Sequence, residues 1–310
     1  MTQREKIRVA TLTVLHPARF LPMPAAGLPC SALALSAALS ASGAGPESAA
    51  RPVPELRYEV VNTYPHDPGA FTQGLLFRDG FLYESTGLNG RSGVRKVVLE
   101  TGTVIRQRSL EQRYFGEGLV DWGNTLVQLT WRSGTGFVYD IDTLEPRRSF
   151  GYPGEGWGLT QDGRRLIMSD GTPQLRFLDP DSLQETARLT VTYEGRPLLG
   201  LNELEMVDGA LFANIWPSPW IVRIDPASGE VTGRLDTSGL LPADQRGRVD
   251  VANGIAWDAR GRRLFLTGKL WPALFEIRLL DGADDAGKGG QEAPSGPTPS
   301  ANAAATEPAR

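Results

Sequence analysis

Five related segments repeat along the middle of this 310-residue chain. They are QGLLFRDGFLYES, EGLVDWGNTLVQLTW, WGLTQDGRRLIMSD, NELEMVDGALFANIW and NGIAWDARGRRLFLTGK, and in each an apolar run leads through a short turn into a second apolar run. When Gly74, Gly118, Gly158, Glu203 and Gly254 are taken as equivalent, the spacings are 44, 40, 45 and 51 residues. A repeat of roughly 40 to 50 residues that holds several short strands is typical of a β-propeller blade.

The turns inside the repeats contain dipeptides that favour short hairpins. They are Asp79-Gly80, Gly123-Asn124, Asp162-Gly163 and Asp208-Gly209. Two further β-branched or aromatic runs follow each of the first four repeats, as in WIVRIDPASGEVTGRLD after the fourth. The first four copies therefore have four predicted strands each, whereas the fifth has three and ends at residues 273–279.

A spare strand, LRYEVVNTY at residues 56–64, precedes the first repeat. Pairing it with the last blade would complete that blade and remove two exposed sheet edges. The sequence therefore predicts an all-β fold, a five-bladed β-propeller whose N-terminal strand closes the last blade. The incomplete last copy argues against the alternative, an open β-solenoid. The longest spacing contains residues 239–249, which we expect to form a surface loop between blades four and five.

The two ends of the chain differ in composition from the repeats. A basic cluster, an Ala/Leu/Ser-rich stretch and small residues follow one another at the N-terminus, which is the order of a secretory signal. We expect residues 1–54 to form an N-terminal export signal or disordered segment, residues 55–280 the propeller, and residues 281–310 a disordered tail rich in Gly, Pro, Ala and Ser. The expected location is periplasmic or secreted.

Composition excludes several classes of function. The net charge is −4 and no basic stripe occurs, so we expect no nucleic-acid partner. No apolar run approaches the roughly 18 residues of a membrane span, so we expect no stable membrane insertion. The single cysteine, Cys30, lies near the N-terminus, and the repeats are accompanied by one histidine, His66. This inventory cannot build a His/Cys zinc site.

Other metal and nucleophile chemistries also lack support. A Ser-His-Asp triad would need His66, which lies in a Pro-bracketed loop where a turn residue is the simpler interpretation. No Gly-rich phosphate loop occurs. Glu84, Asp170 and Glu205 leave a calcium site open but have no diagnostic spacing. We expect neither a catalytic metal nor a cofactor.

The first strand of each propeller blade lines the central channel, so the residues that open these strands meet at one mouth of it. Here these residues are Gln73, Glu117, Trp157, Asn202 and Asn253. A purely structural ring would carry small or aliphatic residues at these positions. Five polar or aromatic side chains therefore predict a ligand pocket.

Aromatic residues are frequent at the starts and ends of the channel-side strands. They are Phe71, Phe115, Trp131, Trp157, Trp216 and Trp271. We expect about half of the tryptophans to belong to blade-to-blade cores, because aromatic residues dominate protein cores generally. Lys269, in LTGKLW, is predicted to lie either on the surface or at the edge of the pocket.

Glu117 lies between two glycines in YFGEGL. It is either a surface turn residue or a carboxyl group held in the pocket. In the pocket, desolvation would raise its pKa and suit it to proton transfer near neutral pH. The flanking glycines are then expected to leave room for a substrate backbone.

Ten motifs in the chain resemble those of the plant and bacterial glutaminyl-peptide cyclotransferases. In order they are HDPGAFTQGLLF, YESTGLNGRS, YFGEGL, LTWRSGTGFVYD, EGWGLTQDG, SDGTPQLRFLDP, LNELE, ANIW, NGIAWD and TGKLWP, spread over residues 58–279. The resemblance implies a five-bladed propeller and a metal-independent enzyme. Its expected reaction converts the N-terminal glutamine of peptides or proteins to pyroglutamate with release of ammonia.

The resemblance also implies roles for individual residues. Glu117 is expected to be the catalytic acid/base. The expected substrate-binding residues are Phe71, Gln73, Phe115, Trp131, Trp157, Asn202, Trp216 and Lys269. A role for Asn253 rests on its predicted position alone. Two alternatives remain open: a non-catalytic peptide-binding propeller, and a metal-dependent lactonase-type propeller with a carboxylate/Asn cluster on its axis.

Overall fold

The computed structural model describes residues 52–280, so most of the predicted export segment and the predicted C-terminal tail lie outside the described residues. Five four-stranded antiparallel sheets follow one another in this range. The first strand of each sheet contacts the first strands of the two neighbouring sheets, which places these strands around a central channel.

The strands of the first four sheets occur in chain order. Sheet one is β2 (Thr72–Arg78), β3 (Phe81–Thr86), β4 (Gly93–Val98) and β5 (Val104–Ser109). Sheet two is β6 (Gly116–Trp122), β7 (Thr125–Thr130), β8 (Thr135–Asp140) and β9 (Pro146–Gly151). Sheet three is β10 (Leu159–Gln161), β11 (Leu166–Met168), β12 (Gln174–Leu178) and β13 (Glu185–Thr190). A two-stranded hairpin follows, β14 (Thr192–Tyr193) and β15 (Arg196–Pro197), and sheet four is β16 (Leu201–Val207), β17 (Ala210–Ile215), β18 (Trp220–Ile224) and β19 (Val231–Asp236).

The fifth sheet closes the ring with a strand from the start of the domain. It contains β20 (Ala252–Asp258), β21 (Arg263–Gly268), β22 (Ala273–Leu280) and, on its outer edge, β1 (Arg57–Pro65). Strand β1 pairs antiparallel with β22. The predicted five-bladed propeller with an N-terminal closing strand is therefore confirmed, and the open solenoid is excluded.

Two of the predicted Asp-Gly turns have the backbone conformation that joins neighbouring strands tightly. Asp79 and Gly80 have φ angles of 51° and 86°, and Asp208 and Gly209 have φ angles of 50° and 84°. Positive φ at both central residues matches the right-handed twist of the flanking strands. These residues therefore connect the first and second strands of blades one and four.

Five separate hydrophobic clusters fill the spaces between neighbouring blades. The alternation of side chains along a strand sends consecutive residues to opposite faces. Leu75 belongs to the cluster that contains Phe265 of blade five, whereas Leu76 belongs to the cluster that contains Leu119 of blade two. Each inner strand thus supplies two interblade cores, and full burial of each leucine contributes roughly 1.5–3 kcal/mol.

A buried ion cluster fastens the closing strand to blade one. His66 follows β1 directly, and its Nδ1 lies 2.7 Å from the Trp271 carbonyl oxygen while its Nε2 lies 3.1 Å from Glu84 Oε1. Glu84 also accepts hydrogen bonds from Thr72 Oγ1 at 2.6 Å and from Arg95 Nε at 2.7 Å. Both ring nitrogens of His66 face acceptors, so the imidazole acts as a cation here. The interpretation of His66 as a satisfied structural residue agrees with these contacts.

The connections between blades differ from the prediction in one place. The hairpin of β14 and β15 is not predicted, because strands of two residues are too short to show an alternating pattern. The predicted loop at residues 239–249 does join blades four and five, and it includes the 3-10 helix Arg246–Arg248. Leu240 and Leu241 fasten this loop to the core between these two blades.

Candidate active site

The pairing of the first two strands is irregular at the same place in four blades. The register shifts between Thr72 and Gly74, between Gly116 and Leu119, between Leu201 and Leu204, and between Ala252 and Ile255. The residues inside these bulges include Gln73, Glu117, Asn202 and Asn253. A bulge bends the strand and re-aims a side chain. Four of the five predicted pocket residues thus occupy equivalent bulges, and the fifth, Trp157, lies just before β10.

The glycines that follow Gln73, Glu117 and Trp157 are required by the close approach of neighbouring blades. A Cβ atom on Gly74 would lie 2.5 Å from Leu119 N, and one on Gly118 would lie 2.5 Å from Leu159 N. On Gly158 it would lie 2.0 Å from the carbonyl oxygen of Asn202. A Cβ atom on Gly116 would lie 2.6 Å from the carbonyl oxygen of Thr86 in blade one. The expectation that the glycines beside Glu117 leave room for a substrate backbone is therefore wrong, because the backbones of the neighbouring blades fill that space.

Side-chain hydrogen bonds hold the bulges in place. Asn214 accepts from Gly254 N at 3.1 Å and donates to the carbonyl oxygen of Ala252 at 3.4 Å, so it grips the chain on both sides of Asn253. Asn253 Nδ2 donates across the ring closure to the carbonyl oxygen of Thr72 at 3.0 Å. These bonds orient Asn253 beside the next blade.

Ser169 makes a corresponding pair of hydrogen bonds between blades three and four. Its hydroxyl accepts from Gly158 N at 2.7 Å and donates to the carbonyl oxygen of Asn202 at 2.6 Å. It therefore connects the residue after Trp157 with the bulge of blade four.

Several polar atoms of the predicted pocket residues are buried without a hydrogen bond to any part of residues 52–280. They are Gln73 Nε2, both amide atoms of Asn202, Asn253 Oδ1 and Trp216 Nε1. Each such group costs roughly 1–3 kcal/mol in the folded protein, and native proteins contain few of them. A cluster of three donors and two acceptors on four site residues therefore indicates a polar ligand.

Five aromatic side chains from blades one to four form one cluster at this mouth. They are Phe71, Phe115, Trp131, Trp157 and Trp216. Their rings meet edge to face: the centroids of Phe71 and Phe115 are 6.0 Å apart, those of Phe115 and Trp131 5.6 Å, and those of Trp157 and Trp216 5.7 Å. All five predicted aromatic pocket residues are thus brought together.

Trp271 does not belong to this aromatic cluster. It packs in the core between blades four and five, and its Nε1 donates to the carbonyl oxygen of Asp250 at 2.9 Å. This outcome agrees with the expectation that some of the tryptophans serve the interblade cores.

Lys269 is fully buried, which excludes the surface alternative for this residue. Its Nζ atom lies 5.0 Å from the centroid of the Phe71 ring. A cation at this distance from an aromatic face is attracted by the ring electrons. Lys269 therefore places its amine beside the aromatic cluster.

Glu117 is also fully buried, which excludes the surface-turn alternative. Glu117 interacts electrostatically with the phenol of Tyr152, whose hydroxyl accepts from Thr130 N at 2.9 Å and donates to the Thr130 carbonyl oxygen. Burial raises the pKa of Tyr152 to about 12, and the negative charge of Glu117 contributes to the increase. Glu117 thus holds a carboxyl group in a desolvated environment.

Glu155 is a site residue that the sequence does not predict. Its Oε2 accepts from the indole nitrogens of Trp131 at 2.6 Å and Trp157 at 2.9 Å, and its Oε1 accepts from Arg132 Nε at 2.8 Å. Burial alone would raise the pKa of Glu155, but these three hydrogen bonds lower it below its ordinary value. One carboxylate therefore fixes the spacing of two aromatic walls that come from different blades.

Glu203 and Glu205 lie on β16, in the same strand as Asn202 and after it in the sequence. Glu203 accepts from Leu75 N at 3.2 Å and from Ile255 N at 2.9 Å, and thereby joins blades one, four and five. Burial and the charge of Glu205 raise its pKa well above the usual range. Burial raises the pKa of Glu205 to about 8.

A cavity of about 920 Å³ lies at the other end of the inner strands and is lined by Glu205, Thr160 and Trp257. None of the predicted pocket residues lines it. The candidate site is therefore the aromatic mouth, where buried polar atoms of Gln73, Asn202, Asn253 and Trp216 have no hydrogen bond to residues 52–280.

The calcium alternative receives no support from the described chain. Glu84 is engaged in the ion cluster, and within residues 52–280 no three His, Cys, Asp or Glu side chains are grouped as metal ligands. In the same residues no helix has the length and apolar character needed to cross a membrane.

Comparison with known proteins identifies the family. The family model for glutamine cyclotransferase matches residues 32–279. The chain is 46% identical over 227 residues to a glutaminyl-peptide cyclotransferase of Arabidopsis thaliana, which covers 71% of either chain. It also matches the crystal structure of Myxococcus xanthus glutaminyl cyclase with a TM-score of 0.69 and 38% identity, over 74% of this chain and 100% of that one. The chain therefore belongs to the glutamine cyclotransferase family.

Proposed function

We propose that this protein converts the N-terminal glutamine of peptides and proteins to pyroglutamate with release of ammonia, at the mouth that holds Glu117. The enzyme class predicted from the sequence, a glutaminyl-peptide cyclotransferase, is confirmed by the family and by both relatives. The observation that supports this mouth as the reaction site is its set of buried polar atoms without hydrogen-bond partners in residues 52–280.

These polar atoms suit an N-terminal glutamine. Gln73 Nε2, Asn202 Nδ2 and Trp216 Nε1 are donors for the side-chain and main-chain carbonyl oxygens of the substrate. Asn202 Oδ1 and Asn253 Oδ1 are acceptors for the side-chain amide and the α-amine. The surrounding aromatic rings would enclose the two methylene groups of the glutamine and exclude water.

The reaction is an intramolecular aminolysis. The α-amine nitrogen attacks the side-chain amide carbon, a new C–N bond forms, the bond to the amide nitrogen breaks, and the proton lost by the amine leaves with the amide nitrogen as ammonia. No water and no further reactant are consumed. Because the two groups belong to one residue, holding glutamine in a folded conformation supplies much of the rate enhancement.

Glu117 is the group proposed to move the proton. Its carboxylate would take the proton from the attacking amine and return it to the departing nitrogen. Gln73, Asn202 and Lys269 would stabilise the negative charge that develops on the amide oxygen. A free α-amine is essential in this mechanism, so peptides with a blocked N-terminus are expected to be inert.

The test is the substitution Glu117→Gln, which keeps the shape of the side chain and removes its basicity. We expect kcat for a Gln-initiated peptide to fall by about 10²- to 10⁴-fold, while Glu145→Gln, the same change at an exposed position, should have no effect. Mass spectrometry of the peptide, with and without a chelator, measures the loss of one ammonia. Near-normal activity of Glu117→Gln would show that the acid/base assignment is wrong.

The same assay separates the two alternatives. A non-catalytic peptide-binding propeller would bind the peptide without ammonia loss. A metal-dependent lactonase-type propeller would hydrolyse lactones and lose that activity with the chelator.

We also propose that the protein is exported to the periplasm or secreted. The support is the order of basic, apolar and small residues within residues 1–54. Determining the N-terminus of the protein isolated from its natural host tests this: an intact Met1 in a cytoplasmic fraction would contradict export.

A further inference from the structure

A small apolar groove lies between blades four and five, beside the proposed active site. It has a volume of about 210 Å³, and its apolar walls are Pro217, Pro219, Leu241, Val249, Val251 and Trp271. This volume is below the roughly 300–1,000 Å³ of pockets that enclose a complete small molecule. It suits one side chain or a short stretch of extended peptide.

Three segments of the chain line the groove and lead directly into the active-site mouth. Pro217 directly follows Trp216, and Val251 lies two residues before Asn253. The third segment contains Lys269 and Trp271. It is hydrogen-bonded to the second segment, because Lys269 N donates to the carbonyl oxygen of Val251 at 3.0 Å. Val251 also packs against the aromatic cluster, so it belongs to both surfaces. A peptide whose first residue lies in the mouth therefore meets the groove with its next residues.

The walls of the groove are held in place before any ligand arrives. Thr237 donates through its backbone nitrogen and its hydroxyl to the carbonyl oxygen of Pro219, at 3.1 and 2.6 Å. Arg246 donates from Nε to the carbonyl oxygen of Leu241 at 2.9 Å. A preformed apolar surface loses little conformational entropy on binding.

We propose that this groove is a subsite for the residue that follows the N-terminal glutamine of the substrate, and that it selects apolar side chains there. The inference rests on the proposed function, because it takes the aromatic mouth as the place where the glutamine is held. The occupant is the substrate itself, and burial of its second side chain against the prolines and valines would strengthen binding of peptides such as Gln-Leu over Gln-Gly.

The experiment compares kcat/KM for Gln-Leu-Ala and Gln-Gly-Ala peptides with amidated C-termini. We expect the wild-type protein to prefer the leucine peptide by about tenfold, since partial burial of one aliphatic side chain gives a factor of this order. Val249→Ser and Pro219→Ser, which both remove apolar surface from the groove, should each reduce this preference to about threefold or less. Pro219 is exposed and its carbonyl contacts do not depend on its ring, so this second variant should fold even if the first does not.

Ile105→Ser is the matched control, because it removes an exposed aliphatic side chain from the outer strand of blade one. It should leave the preference unchanged. Equal use of the two peptides by the wild type, or a preference that both groove variants retain, would overturn the subsite while the cyclisation of Gln-Gly-Ala still supports the proposed function. Failure of the folded wild type to cyclise either peptide would overturn both.

Discussion

Replacing Glu84 by glutamine tests whether the buried ion cluster holds the propeller ring closed. Glu84 lies on β3 and is 1% exposed, and it bonds to His66 after the closing strand and to Arg95 on β4. Glu84→Gln keeps the size of the side chain but removes its charge. The two buried cations then face a neutral amide, and Arg95 keeps only its ion pair with Asp67.

The pKa of Glu84 gives the size of the expected effect. Burial alone would raise this pKa, but the charges of His66 and Arg95 and the hydrogen bonds to the carboxylate lower it from 4.5 to about 2. At about 1.36 kcal/mol per unit, this difference contributes roughly 3 kcal/mol to the free energy of unfolding near neutral pH. We therefore expect Glu84→Gln to cost about 3 kcal/mol, or a fall in Tm of about 6–12 °C for a domain of this size.

The loss should depend on pH with a definite sign. A carboxyl group whose pKa is lowered by folding stabilises the protein above its unfolded value of 4.5, and this contribution disappears as the pH falls toward about 2. By about pH 3 less than half of it remains. His66 behaves in the opposite sense: burial alone would lower its pKa, but attraction to Glu84 raises it, so its contribution is present below 6.5 and lost as the pH rises through the folded value.

Urea unfolding followed by tryptophan fluorescence at about pH 7 and about pH 3 measures both effects. Glu145→Gln is the control, since its carboxylate is 67% exposed and pairs with Arg108 at the surface. It should cost less than about 1 kcal/mol at either pH. A Glu84→Gln variant that is as stable as the wild type at neutral pH would show that the ion cluster does not stabilise the ring. A difference in stability that does not narrow in acid would contradict the role of the Glu84 charge.

Three further predictions concern the site and the channel. Glu155→Gln should raise KM for a Gln-initiated peptide by about three- to tenfold with a smaller change in kcat, because the indoles of Trp131 and Trp157 lose a charged hydrogen-bond acceptor. The same change should alter tryptophan emission, and an unchanged spectrum and KM would contradict this prediction. Gly158→Ala should sharply lower the yield of folded protein, because its Cβ would collide with the Asn202 carbonyl oxygen, whereas Gly239→Ala enters open space and should be neutral. Glu205, whose pKa is raised from 4.5 to about 8, lowers the stability of the fold progressively as the pH rises between these two values, so Glu205→Gln should flatten the decline of Tm between about pH 5 and 8.

The fold could be predicted because each blade repeats the same local pattern. The Asp-Gly turns identify the hairpins, and the apolar runs on both sides of them identify strands that are buried on both faces. The spare strand before the first repeat and the missing strand in the last one identify the closure between β1 and β22. Each of these signals lies within a short stretch of the sequence, although the strand contacts that it predicts join distant parts of the chain.

The internal arrangement of the site could be predicted only in part. The positions of Gln73, Glu117, Asn202 and Asn253 follow from the repeat, since equivalent residues of a ring must meet at one mouth. The role of Glu155 does not follow, because its two indole partners are supplied by different blades and only the fold brings them within reach of one carboxylate. The glycines were misinterpreted for a similar reason: the atoms that forbid a Cβ on Gly118 belong to blade three.

The bulges at the starts of the inner strands allow one short segment both to pack closely against the next blade and to direct a polar side chain out of the regular strand pairing. At Gly118 the backbone must allow the next blade to approach, while the preceding residue, Glu117, is directed away from the regular pairing. The hydrophobic clusters between the blades contain none of the polar site residues, so the apolar burial that stabilises the ring does not come from these residues. A ring held together by five independent cores can therefore tolerate several buried polar groups, each costing roughly 1–3 kcal/mol. Those polar atoms remain available to a substrate because no hydrogen bond within residues 52–280 occupies them.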